Sequence, residues 1–499
     1  MIDAGLRPHI LRRKKTMAKN VRLDEKGYRR FGIRDKLGYM FGDFGNDFTF
    51  ILSTSILMKF YTDVMGVSAG IVGTIMMLAR FVDAVTDVSM GRICDAAKPT
   101  KAGKFKPWLM RMCLPVAIAS FLMYAPGLAS DVVSTWSSGV KTAYLAITYI
   151  LWGSFCYTGI NIPYGSMASA ISPDPGDRQS LSTFRTMGGM LAGMIIGIGL
   201  PLFAYDKTVS EAGEALSVLN GSKVALCALL FSVLAVVCYL LAYNFITERV
   251  PYKSEKKEGE STSLGKMVGN AVKNRALLSI IVASIVMLLA QLTMQNMGSY
   301  IYPDYYGSAS AQSASTMMMM VGMIVAAGVA KPLAAKFGKA EVSIVSNLFA
   351  GVVCVLTWVI KPANVWVYCG LQMLCWLGLG IFSMVSWALI TDVIDYSELK
   401  NGVREDGSVY ALYSFARKLG QALAAGMSGW LLEAIGYNTA AAEQGLGQTE
   451  AVKDGIFHIS TLVPAIGFVA LALVLWFWYP LHKKQVDANV QALKEKRGE

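Results

Sequence analysis

Two clusters of acids fall inside otherwise apolar runs. Asp43 and Asp47 stand four residues apart, on one face of a helix. Arg80, Asp83 and Asp87 follow at i, i+3 and i+7, again on one face. A charge in hydrocarbon costs about 2.5–3.5 kcal/mol even on a mild insertion scale, so such a face lines an interior or a wet cavity. Two neighbouring carboxylates offer a hard oxygen site for a small cation, or an acid that takes up a proton. Thr86 and Thr158 are placed to add neutral oxygens. The structural alternative is that Arg80 simply ties the acids down; the excess of acid over base favours a cation site. Arg185 carries a planar fork of donors suited to hydroxyls or a carboxylate, or to a bridge with Asp43 or Asp47. Arg417 and Lys418 are adjacent and point about 100° apart on a helix, so both cannot face one cavity centrally. Arg417 is expected to bridge or snorkel. Asp392, Asp395 and Glu398, just before Lys400 and Arg404, are expected to form gating salt bridges at a membrane boundary. The Met317–Met320 run reads as adaptable packing.

The elements that must position these residues are long. Of 499 residues, 54% are hydrophobic and only 16% charged, against about 25% charged in an ordinary soluble domain. Apolar stretches run at about 37–61, 68–91, 108–127, 142–170, 181–204 and 224–246, then 276–302, 314–335, 340–360, 363–391, 408–435 and 457–480. A spanning helix needs about 20 apolar residues, so twelve spans are expected. A closed β-barrel would show shorter, alternating segments. With the N-terminus inside, 36 of the 46 Lys and Arg fall on inside segments and five on outside loops. That asymmetry predicts both termini in the cytoplasm.

The same inventory excludes other classes. Twelve of the basic residues lie in residues 1–36 with four acids, so much of the net charge of +12 belongs to one tail rather than to a nucleic-acid groove. The eight cysteines include no CxxC pair and sit mostly in apolar runs, which argues against a disulfide framework or a zinc site. Three histidines, no Ser-His-Asp set and no HExxH motif argue against an enzyme. No cleavable signal peptide is visible before Leu37, and Met17 offers a second start, from which residues 1–16 would not be native. The expected division is a basic tail (1–36), a six-helix half (37–246), a polar linker (247–275), a second six-helix half (276–480) and a tail (481–499). Ser182-x-x-Arg185-x-x-Gly188-x-x-Leu191-Ala192 recurs as Ser414-x-x-Arg417-x-x-Gly420-x-x-Leu423-Ala424, in the fifth span of each half. This fits parallel repeats with a site between them near the midplane.

From about Lys36 to Pro480 the chain resembles the glycoside–pentoside–hexuronide:cation symporter family, a branch of the major facilitator superfamily. The blocks that carry the resemblance are KLGYMFGDFGNDF (36–48), FYTDVMGVSAGIVGTIMMLARFVDAVTDVSMG (60–91), GKFKPW (103–108), YTGINIPYGSM (157–167), FR (184–185), TDVIDYSELKNGVREDGSVYALYSFARKLG (391–420) and IGY (435–437). In the best-described member, two second-span aspartates bind Na⁺, Li⁺ or H⁺; they match Asp83 and Asp87. Thr86 matches an intervening asparagine and Thr158 a fourth-span threonine. Sugar-contacting residues match Asp47 and Arg185, and an eleventh-span lysine matches Lys418. Two positions depart: Asn161 stands for a fourth-span aspartate, and Gly165 for a sugar-stacking tryptophan one turn later.

The expectation is therefore an all-α membrane transporter of twelve helices that carries a sugar with H⁺ or Na⁺. The cation is expected at Asp83, Asp87, Thr86 and Thr158. The glycoside, pentoside or hexuronide is expected at Asp47, Asn161, Arg185 and Lys418. Asp43, Arg80, Asp392, Asp395, Glu398 and Arg404 make the charge network. No cofactor is expected beyond the coupling cation. The partners expected are the sugar and membrane lipids, for a monomer in a bacterial cytoplasmic membrane. A uniporter with structural carboxylates, or a lipid transporter of the same fold, are the alternatives.

Overall fold

A computed structural model of the chain describes residues 28–209, 213, 215–250, 274–401 and 406–497. The first half consists of α1 (Ile33–Asp63), α2 (Ala69–Ala96), α3 (Lys106–Leu122), α4 (Ser138–Ile171), α5 (Pro175–Ala204) and α6 (Gly221–Phe245). The second consists of α7 (Arg275–Tyr305), α8 (Ala309–Phe337), α9 (Lys339–Ile360), α10 (Val365–Asn401), α11 (Asp406–Ala434) and α12 (Glu450–Trp478), followed by a polar helix, α13 (Lys483–Arg497). Among the described residues, nine helices are long and apolar enough to cross a membrane. A tenth forms if α3 is joined to its continuation at Ala125–Ser134, across a bend of 49°. The two long helices below that mark are α1 and α11, which carry Asp43 and Asp47, and Arg417 and Lys418, in mid-helix.

Two departures from the expected pattern have local causes. A hairpin of β1 (Tyr205–Val209) and β2 (Ala215–Leu219) joins α5 to α6, with Tyr205 opposite Leu219. Five-residue strands leave little periodic signal beside a long apolar run. Helix α10 also continues to Asn401, past the apolar run that ends near residue 391. Its polar extension is fastened where Lys339, the first residue of α9, donates to Asp392 at 2.6 Å. Most of the linker, 251–273, and residues 1–27 lie outside the described part. The linker's first residues are anchored. The Glu248 carboxylate accepts from the backbone N–H groups of Lys104, Phe105 and Lys106 at 2.7, 3.0 and 2.6 Å, so an anion caps the start of α3. Buried Asp35 meanwhile holds both Arg29 and Arg249.

The halves meet through equivalent helices. The second helix of each packs on the fifth of the other, α2 on α11 and α8 on α5, while α1 touches α7. This exchange is what two parallel repeats about one axis produce. Glycines bring α2 and α11 together: a Cβ on Gly73 would lie 3.0 Å from the Gly429 Cα, and one on Gly429 only 2.3 Å from the Ala69 carbonyl. Hydrogen bonds between the halves gather at the end where α1 finishes. There Ser299 donates to the Ser55 carbonyl, Ser313 to Ile198, Trp430 to Thr74 and Lys141 to Glu443. That end is closed.

Candidate functional site

The polar residues singled out above converge from five helices. Asp43, Asp47, Asp83, Asp87, Thr158, Asn161, Arg185 and Lys418 each lie nine to fourteen residues from the end of their helix opposite the closed one. At 1.5 Å per residue that is roughly 14–21 Å of depth, near the middle of a bilayer core about 30 Å thick. Arg185 and Lys418 keep 40% and 48% of their side chains exposed at this depth. Two charges so placed face a wet cavity, because exposure to hydrocarbon is too costly.

The carboxylate pair is gripped by both neighbours of α2. The Ser154 hydroxyl donates to Asp83 at 2.5 Å, and the Thr158 hydroxyl donates to Asp87 at 2.9 Å. Ser154 lies in the stretch of α4 that winds as a π-helix over Leu151–Tyr157, and Thr158 is the first residue after it. There the Thr158 hydroxyl lies 3.2 Å from the Gly153 carbonyl, which adds an oxygen beside the pair. Such a bulge is a frequent device at functional sites, since it re-aims side chains without ending the helix. Arg80 donates to the second oxygen of Asp83 at 3.2 Å and lies over the rings of Phe50 and Tyr149. The second oxygen of Asp87 is bonded by Lys418, from α11 in the other half. The set therefore offers two carboxylates, two hydroxyls and one carbonyl, all from the first half, to a small cation, with Lys418 of the second half bonded to one of the carboxylates.

A second group lies alongside. Arg185 donates through Nε to Asp43 at 2.8 Å and rests on the Tyr164 ring. Asp47 makes no hydrogen bond or ion pair with any described residue. It is held against Gly189 of α5, where a Cβ would come within 2.5 Å of its carboxylate. Asn46 donates to Asn161 at 3.4 Å. Three cations face four acids here, and the acid left over is Asp47.

Several expected residues are placed elsewhere. The Thr86 hydroxyl donates to the backbone of its own helix, at Val82 and Asp83, and not to the carboxylate pair. Lys418, expected with the sugar, is bonded to the cation pair. Arg417 lies over Trp387 and Tyr413. Asp392 is tied to Lys339 within the second half, so this contact is a staple inside one half and not a lock between the two. Asp395 and Glu398 follow on α10, and Arg404 lies outside the described residues.

The sequence reading missed Ser154, although it stands four residues before Thr158. It also missed a second cluster at the closed end. There Lys59, 1% exposed, pairs with Asp63 at 2.7 Å and with Asp304 of the other half. The Tyr437 hydroxyl lies 2.9 Å from Lys59 and from Asp63.

Residues 38–483 match the family described as MFS/sugar transport protein. The chain belongs to that family. Its members are transporters rather than enzymes, and the chain is a multi-pass membrane protein of this kind. It is 29% identical to a glucuronide carrier protein homolog of Escherichia coli, over 93% of this chain and 96% of the relative. It is 30% identical to the isoprimeverose transporter of Lactiplantibacillus pentosus, over 89% and 88%. An uncharacterized symporter of Bacillus subtilis is 29% identical over 94% and 96%. Among solved structures, a D-xylose–proton symporter superposes with a TM-score of 0.61 at 14% identity, over 90% of this chain and 98% of that one. That likeness shows the shared fold.

Proposed function

We propose that the chain is a sugar:cation symporter of alternating access, taking up a glycoside, pentoside or hexuronide with H⁺ or Na⁺. The carrying observation is the ion pair between Lys418 and Asp87, made between the two halves at one acid of the pair. In the empty carrier the lysine neutralises the acid. A coupling cation on Asp83, Asp87, Ser154 and Thr158 takes over that task and frees Lys418. The sugar binds beside it, with hydroxyls on the unpaired carboxylate of Asp47 and further contacts to Asn161 and Arg185. Each ligand removes a cost of binding the other, so by linkage each tightens the other equally. The excess of basic residues on one side makes the open end cytoplasmic, so this is the inward-facing state, in a bacterial cytoplasmic membrane. One chain supplies both halves and the whole site, which supports a monomer.

One observation favours a second reading. Both acids of the pair already hold a basic partner, Arg80 and Lys418. Carboxylates used only in that way would make a uniporter. Paired H⁺ and Na⁺ electrodes decide the matter in de-energised cells given galactosides, glucosides, xylosides and glucuronides. Symport predicts inward ion movement with one of these sugars. Sugar entry without ion movement establishes uniport, and entry of no sugar overturns both readings in favour of a lipid substrate.

A further inference from the structure

The buried chain of polar groups behind the sugar site ends in an amide whose direction it fixes. Tyr239 of α6 is fully buried, and its hydroxyl donates to the Asn46 Oδ1 at 2.9 Å. That oxygen is the acceptor for the phenol proton among the described residues. Were the Asn46 amide turned over, the proton would be left buried without an acceptor, a costly state. Close packing holds the ring there: a Cβ on Gly45 would lie 2.9 Å from the Tyr239 Cε1. Asn46 itself is 1% exposed, so its amide must find its partners inside the protein. With its oxygen committed to Tyr239, it presents Nδ2 to Asn161, which accepts through Oδ1 at 3.4 Å. Asn161 is half-buried, and its own Nδ2 is left on the other side. One helical turn on, Gly165 leaves an open face, and the Arg185 Nη1 lies 4.0 Å from where its Cβ would be. An amide N–H₂ and a guanidinium therefore border the same gap, and neither accepts a hydrogen bond.

We propose that Tyr239 and Asn46 are positioning residues that hold the Asn161 amide with its nitrogen toward the cavity. The site then reads an acceptor oxygen on the substrate at that point, and an acid oxygen best. This rests on the sugar-transport reading above and deepens it. The chain of two hydrogen bonds gives Tyr239 an influence on substrate choice although it cannot touch the substrate.

The test is competition between 4-nitrophenyl β-glucuronide and 4-nitrophenyl β-glucoside for uptake, read as the ratio of their kcat/KM values. These sugars differ in a carboxylate against a hydroxymethyl group. Asn161→Ala lowers the acid:neutral ratio about tenfold, as loss of a hydrogen bond to a charged group should. Tyr239→Phe frees Asn46 to turn and lowers the ratio about threefold. The two together give the ratio of Asn161→Ala alone, because without the amide there is nothing to orient. Asn161→Ser takes the place of Asn161→Ala if the latter does not reach the membrane. A Tyr239→Phe ratio equal to that of the unaltered chain overturns the proposal, as do effects that multiply in the double variant. A merely structural role for Tyr239 lowers uptake of both sugars and leaves the ratio alone. Failure of the sugar reading itself has a different signature: the unaltered chain takes up no sugar of any class.

Discussion

Of the three lysines among the described residues that reach from one half of the molecule to the other, Lys59 and Lys418 do so in opposite surroundings. Lys59, at the closed end, is 1% exposed and meets Asp63, Asp304 and the Tyr437 hydroxyl. The rings of Tyr300 and Tyr437 lie over its ammonium, at 4.4 and 5.3 Å. Lys418, in the cavity, is about half exposed and meets Asp87. The first cluster cannot trade its cation for one from solvent unless the helices part. The second can, because water already reaches the lysine. Burial, more than the identity of the pair, separates a fastening between halves from a site that exchanges ions.

The comparison breaks most visibly at the acids. Asp83→Asn with Asp87→Asn should abolish concentrative uptake while sugar still equilibrates across the membrane. Mutual tightening of coupled ligands is typically about 5–150-fold, and here it should fall to none. The check is the accumulation ratio of a transported sugar in energised cells; unchanged accumulation would refute the cation site. At the closed end the effect should appear as stability instead. Lys59→Met leaves two buried carboxylates without their cation, a loss of about 3–5 kcal/mol. Thermal unfolding of the purified protein should show it. Removing the acids as well, in Lys59→Met with Asp63→Asn and Asp304→Asn, should restore most of the loss, because a fully neutral cluster strands no charge.

The fold and the site were legible to different depths. Long apolar runs reported the helices because hydrocarbon leaves no alternative for their backbone. The i, i+3, i+7 spacing on α2 reported a shared face, and Asp83 and Asp87 do share one. The repeat around Arg185 and Arg417 anticipated equivalent helices, yet its two arginines differ: one holds Asp43, the other lies on Trp387 and Tyr413. Which partner a long side chain finds depends on helices far away in the chain. So Lys418 was assigned to the sugar and is found on Asp87, 331 residues earlier. Ser154 escaped although it shares a face with Thr158 at i, i+4, because a serine in an apolar run carries no charge to single it out; what gives it a role is the Asp83 carboxylate of another helix, 71 residues earlier. The Lys59 knot was half visible, as Lys59 and Asp63 at i, i+4; Asp304 and Tyr437 arrive only through folding.

Smaller changes sharpen the contrast at the cation pair. Thr158→Ala and Ser154→Ala each remove one neutral oxygen and one hydrogen bond to a carboxylate. A loss near 1 kcal/mol predicts about fivefold weaker coupling-ion affinity for each. The ion concentration for half-maximal uptake measures it, with maximal rate little changed. An ion affinity unchanged from the unaltered chain in both variants would place the ion away from this part of α4.

Lys418→Gln carries the smallest change in affinity and the most specific signature. An exposed ion pair contributes about 0.2–1 kcal/mol, so removing its lysine should tighten ion binding at Asp87 by no more than about fivefold. The return of the empty carrier should suffer more, since Asp87 would cross without its internal partner. Net uptake should therefore slow, while exchange of internal for external sugar, which never needs the empty carrier to return, should proceed. Lys59 predicts no such split, because opening the closed end is required for both modes. Measuring counterflow beside net uptake separates the two lysines: a Lys418→Gln variant that loses both equally would make that residue a second fastening and not the tenant of the cation site.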